Sequence, residues 1–283
     1  MAEFLIGVMG NGILAVWSLH NWSKCCTTSP YSIIVLGLAI CRFYLQWVIL
    51  IDLISYSYFS GGFWVYYLNI CWIFLNQASL SLATCLSIFY CIKITNFVHP
   101  AFMWLKRRVR GFGFCFLLVS LLITLILVSI LGQNSIPRNI STPPLFIGQH
   151  YLQIFWLNMG SLLPFFMFLF SSAMLIISLN RHHRRMLHHV EGRKDARAKA
   201  HVAALKSLIS FLLLYIIYFL ATPFSIISKF PPTNISEVLI SETLMAAYPS
   251  FHSIVLIVGN PKMKQQFQRI LWKTVCLWTS QQI

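Results

Sequence analysis

The sequence predicts an all-α membrane protein: a seven-transmembrane helix bundle with its N-terminus outside and a short amphipathic C-terminal helix inside. Three observations predict it. Of the 283 residues, 58% are apolar and 10% charged, against about 25% charged in a typical soluble domain, and mean hydropathy is +0.74. Seven apolar runs approach the roughly 20 residues that cross about 30 Å of hydrocarbon. The Lys and Arg residues crowd into alternate connections, as they do on the cytoplasmic side of membrane proteins.

The runs lie at about 3–19, 31–56, 63–92, 109–131, 151–180, 202–228 and 239–259, with a cytoplasmic tail over 260–283, so residues 1–283 read as a single seven-transmembrane domain. Lipid offers backbone groups no partners, so only helices or closed barrels can span, and these runs are too long and too continuously apolar for barrel strands. The first run, about 17 residues from Glu3, meets the lower limit for a span. It lacks the charged n-region and cleavage site of a signal peptide and reads as a helix that has lost its outer turns.

Orientation follows from the connections. One set holds Lys24, Lys93, Lys106, Arg107, Arg108 and Arg110, a run from Arg181 to Lys206, and Lys262, Lys264, Arg269 and Lys273, eighteen cations in all; the opposite set holds Arg138 and Lys229. Eighteen against two places the first set inside, and the net charge of +15 is a topology signal rather than a sign of nucleic-acid binding. Sequons at Asn139 and Asn234 fall in predicted outer loops and are candidate glycosylation sites, whereas the one at Asn21 falls inside and should stay bare. None of the eight cysteines forms an outer-loop pair, so no structural disulfide is expected.

Polar residues inside spans mark the interior of the bundle. Arg42 sits about 11 residues, or some 16 Å, into span two. With Asn11 in span one and His252-Ser253 in span seven it can form a polar knot joining three helices, and a structural clamp is the favoured reading over a ligand or proton site. Trp72 and Asn76 share one face of span three. Tyr218 lies mid-span six, five residues before Pro223, a candidate kink, and Glu242 lies about one turn inside span seven. These four can line an outward-opening cavity, mostly apolar with few polar groups; spacing alone favours ordinary interhelix packing.

On the inner side, the stretch 181–201 is basic and rich in histidine. Adjacent pairs such as His182-His183 point to different helix faces and the surround is cationic, so no metal is expected; a partner protein or anionic lipid suits it better. The tail spaces Met263, Phe267, Ile270, Leu271 and Val275 at helical intervals with cations between, an amphipathic helix on the inner leaflet, and Cys276 is a candidate for palmitoylation. Phosphate loops, HExxH and a nucleophile elbow are missing, so neither an enzyme nor a cofactor is expected. A transporter or channel would call for repeats or paired broken helices, which are not evident; a membrane scaffold remains the third alternative.

Six ordered blocks carry a family resemblance: EFLIGVMGNG, LGLAICRFYLQW, LATCLSIFYCIKITNF with HPAFMWLKRRV, LLPFFMFLFSSAMLIISLNRHHRRM, KAHVAALKSLISFLLLYIIYFL and YPSFHSIVLIVGNPKMKQ. The chain resembles the type 2 (bitter) taste receptors over nearly its whole length. The resemblance implies a G-protein-coupled receptor in the plasma membrane that binds small bitter molecules. It would signal through a gustducin-like G protein to phospholipase C and calcium, and receptor oligomers are compatible with it. It implies ligand contacts at Trp72, Asn76, Tyr218 and Glu242, and structural or switching roles for Asn11, Arg42, His252 and Ser253. It also implies glycosylation at Asn139; G-protein contact is expected at Arg184 and Arg185 in the basic segment. Where rhodopsin-like receptors carry a DRY triplet this chain reads Phe89-Tyr90-Cys91, and where the family has an aromatic in helix three it has Leu82. The family also carries further residues ahead of the Glu3 position.

Overall fold

A computed structural model describes residues 2–24, 30–58, 63–94, 108–134, 160–189, 209–224, 234–260, 263–265, 268–269 and 272. The described residues are helical apart from short turns and helix ends. The helices are α1 (Ala2–Lys24), α2 (Pro30–Tyr58), α3 (Phe63–Ile94), α4 (Val109–Asn134), α5 (Leu162–His189), α6 (Ile209–Phe224) and α7 (Ile235–Gly259). Ala2–Ser23, Pro30–Ser55 and Ile70–Ile92 are each long and apolar enough to cross a membrane; Gly113–Ser129, Leu162–Ser178 and Ile209–Phe224 are shorter apolar helices.

Side-chain pairs fix the directions of neighbouring helices. Phe4 meets Trp47 at 5.1 Å between ring centroids, and Gly12 faces Phe43, so α1 and α2 are antiparallel. Arg42 reaches Ser79 while Tyr31 packs on Tyr90, so α2 and α3 are antiparallel. Ser81 meets Ser120 and Cys85 meets Gly113, so α3 and α4 are antiparallel as well. Gln77 pairs with Ser161 and Ser87 with Ser171, so α3 and α5 run parallel. Gly7 faces Ser250 and Gly10 faces Ser253, so α1 runs parallel to α7. The core lies along α3, α6 and α7, with Leu80, Ala83, Leu86, Phe211, Tyr215, Tyr218, Met245 and Tyr248 buried together. Large apolar side chains such as Phe114, Leu122, Phe166 and Phe170 point outward, the arrangement of a bundle whose solvent is lipid.

Several ends differ from the sequence expectation. The first helix continues to Lys24 rather than stopping near residue 19, which gives it an ample length for a span. Its last turn is polar, because helical backbone bonds do not end where apolar side chains do. Of the expected helix over 151–180, residues 151–159 lie outside the described residues; the helix from Leu162 follows a turn at Gly160 and Ser161 and runs on to His189. Pro164 explains the start: in a first turn its missing N–H would have had no partner, and the Phe165 N–H bonds back to Ser161 O at 3.1 Å. The seventh helix begins one turn early, at Ile235, because Asn234 Oδ1 accepts the Ser236 N–H at 3.3 Å and Glu237 stands in the first turn, where both cap and charge are favourable. Pro223 falls next to the end of the described part of α6 rather than in its interior. The expected ends of span six beyond 209–224 lie outside the described residues.

Candidate functional site

Two polar constellations occupy the interior. The first surrounds Arg42, which is 0% exposed. A buried guanidinium is tolerable only when its donors are met, and three neighbouring groups meet them. Nε donates to Ser79 Oγ at 3.1 Å, Nη2 to Tyr248 Oη at 2.6 Å, and Nη1 to His252 Nδ1. The guanidinium carbon also stands 4.6 Å from the Tyr248 ring centroid, a cation–π arrangement. Accepting at Nδ1 requires a neutral His252 with its proton on Nε2. The His252 ring lies 3.9 Å from that of Phe211.

Asn11 and Ser253 stand beside this knot but bond elsewhere. Asn11 Nδ2 donates to Gly7 O at 2.8 Å and to Pro249 O at 3.2 Å. Ser253 Oγ donates to Ser250 O at 2.6 Å. The three-helix knot expected from sequence is therefore two devices. Arg42 ties α2 to α3 and α7, while Asn11 ties α1 to α7 at the carbonyl of a helix-interior proline.

Gln46 extends the second device, donating to Ala246 O at 3.2 Å and Ser250 Oγ at 2.8 Å. Ser250 Oγ in turn lies 3.1 Å from Glu3 O. Close approach of α1 is essential here. A Cβ on Gly7 would meet Ser250 Oγ at 2.5 Å and Gln46 Nε2 at 2.6 Å, and one on Gly10 would collide with Ser253. Small residues that let backbones approach are the usual means of joining helices in lipid.

The second constellation holds Trp72, Asn76, Tyr218 and Glu242. The Tyr218 hydroxyl donates to Asn76 Oδ1, joining α6 to α3. Glu242 is buried on α7, within electrostatic reach of the Tyr218 hydroxyl. The Tyr218 ring lies 4.9 Å from that of Tyr248, so the two constellations share a wall. Trp72 is half-buried and packs against Leu45, Ile49 and Ala246, toward α2 and α7. Four residues from three separate helices thus occupy one region of the interior.

Sequence reasoning missed Ser79, Tyr248, Gln46 and Ser250. Helical spacing pointed to three of them: Gln46 follows Arg42 by four residues, Tyr248 precedes His252 by four, and Ser79 follows Asn76 by three. It missed a row of hydroxyls on α3 as well. Ser81 meets Ser120 at 2.5 Å, Thr84 donates to Pro164 O at 3.0 Å, and Ser87 meets Ser171 at 2.8 Å.

The remaining candidates lie apart. Arg184 and Arg185 fall in the last turns of α5, their side chains outside the described residues. Asn139 and Cys276 also lie outside the described residues. Asn234 is exposed and caps α7 through Oδ1. Among the described residues no cluster of three or more His, Cys, Asp or Glu side chains could hold a metal ion.

Long apolar helices around a bonded polar interior define an all-helical membrane protein. Comparison with known proteins gives its family. The model of the family described as "Taste receptor protein (TAS2R)" matches residues 1–275. The chain is 52% identical over 277 residues to "Taste receptor type 2 member 5" of Papio hamadryas, covering 97% of this chain and 93% of that protein. It is 50% identical over 279 residues to the protein of the same name from Pan paniscus, covering 98% and 93%. It is 35% identical over 285 residues to "Taste receptor type 2 member 10" of Homo sapiens, covering 98% and 92%. The chain therefore belongs to the type 2 taste receptor family, a family of membrane receptors rather than enzymes.

Proposed function

We propose that the chain is a seven-pass bitter taste receptor of the plasma membrane, N-terminus outside, that binds small bitter molecules and couples to a gustducin-like G protein acting on phospholipase C and calcium. The orientation rests on the eighteen-to-two division of cations between the two sets of connections. Asn139 and Asn234 are then the outer glycosylation sites. At Asn234 the cap uses Oδ1 while the sugar is carried on Nδ2, so cap and glycan are compatible.

The observation that carries the binding reading is the meeting of α3, α6 and α7 at Asn76, Tyr218 and Glu242. An agonist competes there for the Asn76–Tyr218 hydrogen bond. Trp72 supplies a stacking surface and Glu242 an attraction for cationic or donor-bearing compounds. Arg42, Asn11, His252 and Ser253 act as the structural and switching set behind it. On the inner side Arg184 and Arg185 contact the G protein. Activation is a population shift, the agonist binding better to the arrangement whose inner face accepts the G protein.

Calcium imaging in cells carrying a gustducin-like G protein, challenged with a panel of bitter compounds, tests this reading. A response that needs both the chain and the G protein is expected, and Glu242→Gln should weaken cationic agonists selectively. Silence across the panel at normal surface staining counts against the receptor reading, and an unchanged response of Glu242→Gln removes that residue from the site.

A further inference from the structure

The bonds around Arg42 give each guanidinium nitrogen a partner but leave its charge unanswered. Those partners are two hydroxyls and an imidazole, Ser79, Tyr248 and His252, and all three are neutral while His252 accepts at Nδ1. Among the described residues no carboxylate is in salt-bridge contact with Arg42, and the groups within electrostatic reach are Tyr248, Cys41 and Tyr215. A guanidinium keeps its proton in proteins, and this one is wholly buried. A buried charge without a counter-charge is the costly case in a protein interior.

The same neighbours hold protons that need acceptors. Ser79 and Tyr248 accept from Arg42, so each must turn its own hydroxyl proton elsewhere, and no acceptor for either lies among the described residues. Tyr215 is buried beside them, its ring 5.6 Å from that of Tyr248. Its hydroxyl has no hydrogen-bond partner and lies within electrostatic reach of Arg42. Thr84 is near that hydroxyl but outside hydrogen-bond geometry, and its own proton goes to Leu80 O and Pro164 O. A buried unpaired oxygen is rare in native structures and calls for a partner. Three hydroxyl protons and one uncompensated cation therefore share a centre where α2, α3, α6 and α7 meet. Water would accept two of these protons, but it would add two of its own and no charge. A small anion answers both needs. The surrounding walls are aromatic, with Phe168 and Phe211 edge to face at 4.7 Å between centroids and Tyr215 4.6 Å from Phe168. Walls of that kind suit a single charge, because a polyvalent anion costs far more to desolvate.

We propose that Arg42, Ser79, Tyr215 and Tyr248 form a binding site for a halide-sized monovalent anion such as chloride, which supplies the counter-charge of the buried guanidinium. The inference rests on the packing of the four helices and not on the agonist or G-protein reading above.

The test is thermal unfolding of the full-length chain in detergent, with chloride exchanged for gluconate at constant ionic strength. Holding ionic strength constant removes the screening of the net charge of +15. A ligand of the folded chain raises its midpoint with concentration, and a rise of about 2–4 °C in chloride over gluconate is expected. Bromide, close to chloride in size, should reproduce the rise; gluconate is too bulky for the centre. Tyr215→Phe should be at least as stable as the unaltered chain in gluconate, where it loses only an unpaired hydroxyl. In chloride it should be the less stable of the two, so the order of the midpoints reverses. Equal midpoints in chloride and gluconate for the unaltered chain overturn the proposal. So does a chloride rise that Tyr215→Phe keeps in full, since the ion then sits on surface cations. Should Tyr215→Phe fail to fold, Ser79→Ala takes its place, and an undiminished chloride rise in that variant overturns the proposal equally.

Discussion

The seam of α1, α2 and α7 and the junction of α3 with α6 are built on opposite plans. In the seam, Arg42, Gln46, Asn11 and Ser250 share more than half a dozen hydrogen bonds, and two glycines bring the backbones together. At the junction of α3 and α6 Tyr218 donates to Asn76, and α6 meets α5 through rings, Tyr215 and Phe219 on Phe165 and Tyr215 on Phe168. A guanidinium with three hydrogen-bond partners is held in one position by the directionality of each bond. On the receptor reading proposed above, the difference assigns the parts: the seam serves as the frame, and α6 is the element that moves against it.

Breaking the frame should have the largest effect. Arg42→Ala leaves Ser79, Tyr248 and His252 buried without their donor, at about 1–3 kcal/mol for each unsatisfied group. We expect loss of surface expression and a markedly lower thermal midpoint in detergent; wild-type stability would show that the knot is not part of the frame. Gly10→Ala should come next, at about 1–3 kcal/mol for an overpacked contact, because its Cβ meets Ser253. Ser253→Gly in the same chain should restore part of that loss, and a double-mutant cycle with no coupling would disconnect the pair.

At the other junction the balance should reverse. Tyr218→Phe removes a single hydrogen bond, about 0.5–1.5 kcal/mol, yet it should change basal or agonist-evoked calcium signals more than either seam variant that still reaches the surface. An unchanged dose–response curve would place the movable contact elsewhere. Ser87→Ala, on the α3–α5 contact, should have the smallest effect, about 0.6 kcal/mol as for interhelical hydrogen bonds in membranes generally, read as a small shift in thermal midpoint.

The positions of the helices were legible in the sequence because lipid demands long apolar runs. Their ends were less so. Arg181 to His189 fell outside the apolar run over 151–180 because it is polar, yet it continues α5, since a helix keeps its own backbone bonds past the end of an apolar run. The early start of α7 depended on the cap at Asn234, the turn ahead of Leu162 on Gly160 and Pro164; both are local signals that hydropathy averages away. Within the site, Arg42 was conspicuous as a mid-span charge, whereas Ser79 and Tyr248 are neutral and stand out only once the rotation of each helix is known. That Tyr218 would find Asn76 is likewise a matter of how α6 is turned toward α3, which no pattern within either segment specifies.

The glycines of α1 have a consequence for genetics. Gly7, Gly10 and Asn11 serve the seventh helix, through Ser250, Ser253 and the Pro249 carbonyl, at least as much as they serve their own. Alleles that alter the first helix and alleles that alter the seventh should therefore fall into one phenotypic class. In a saturation screen for loss of surface display, second-site suppressors of changes at codons 7, 10 and 11 should map to codons 249–253, more than two hundred codons away.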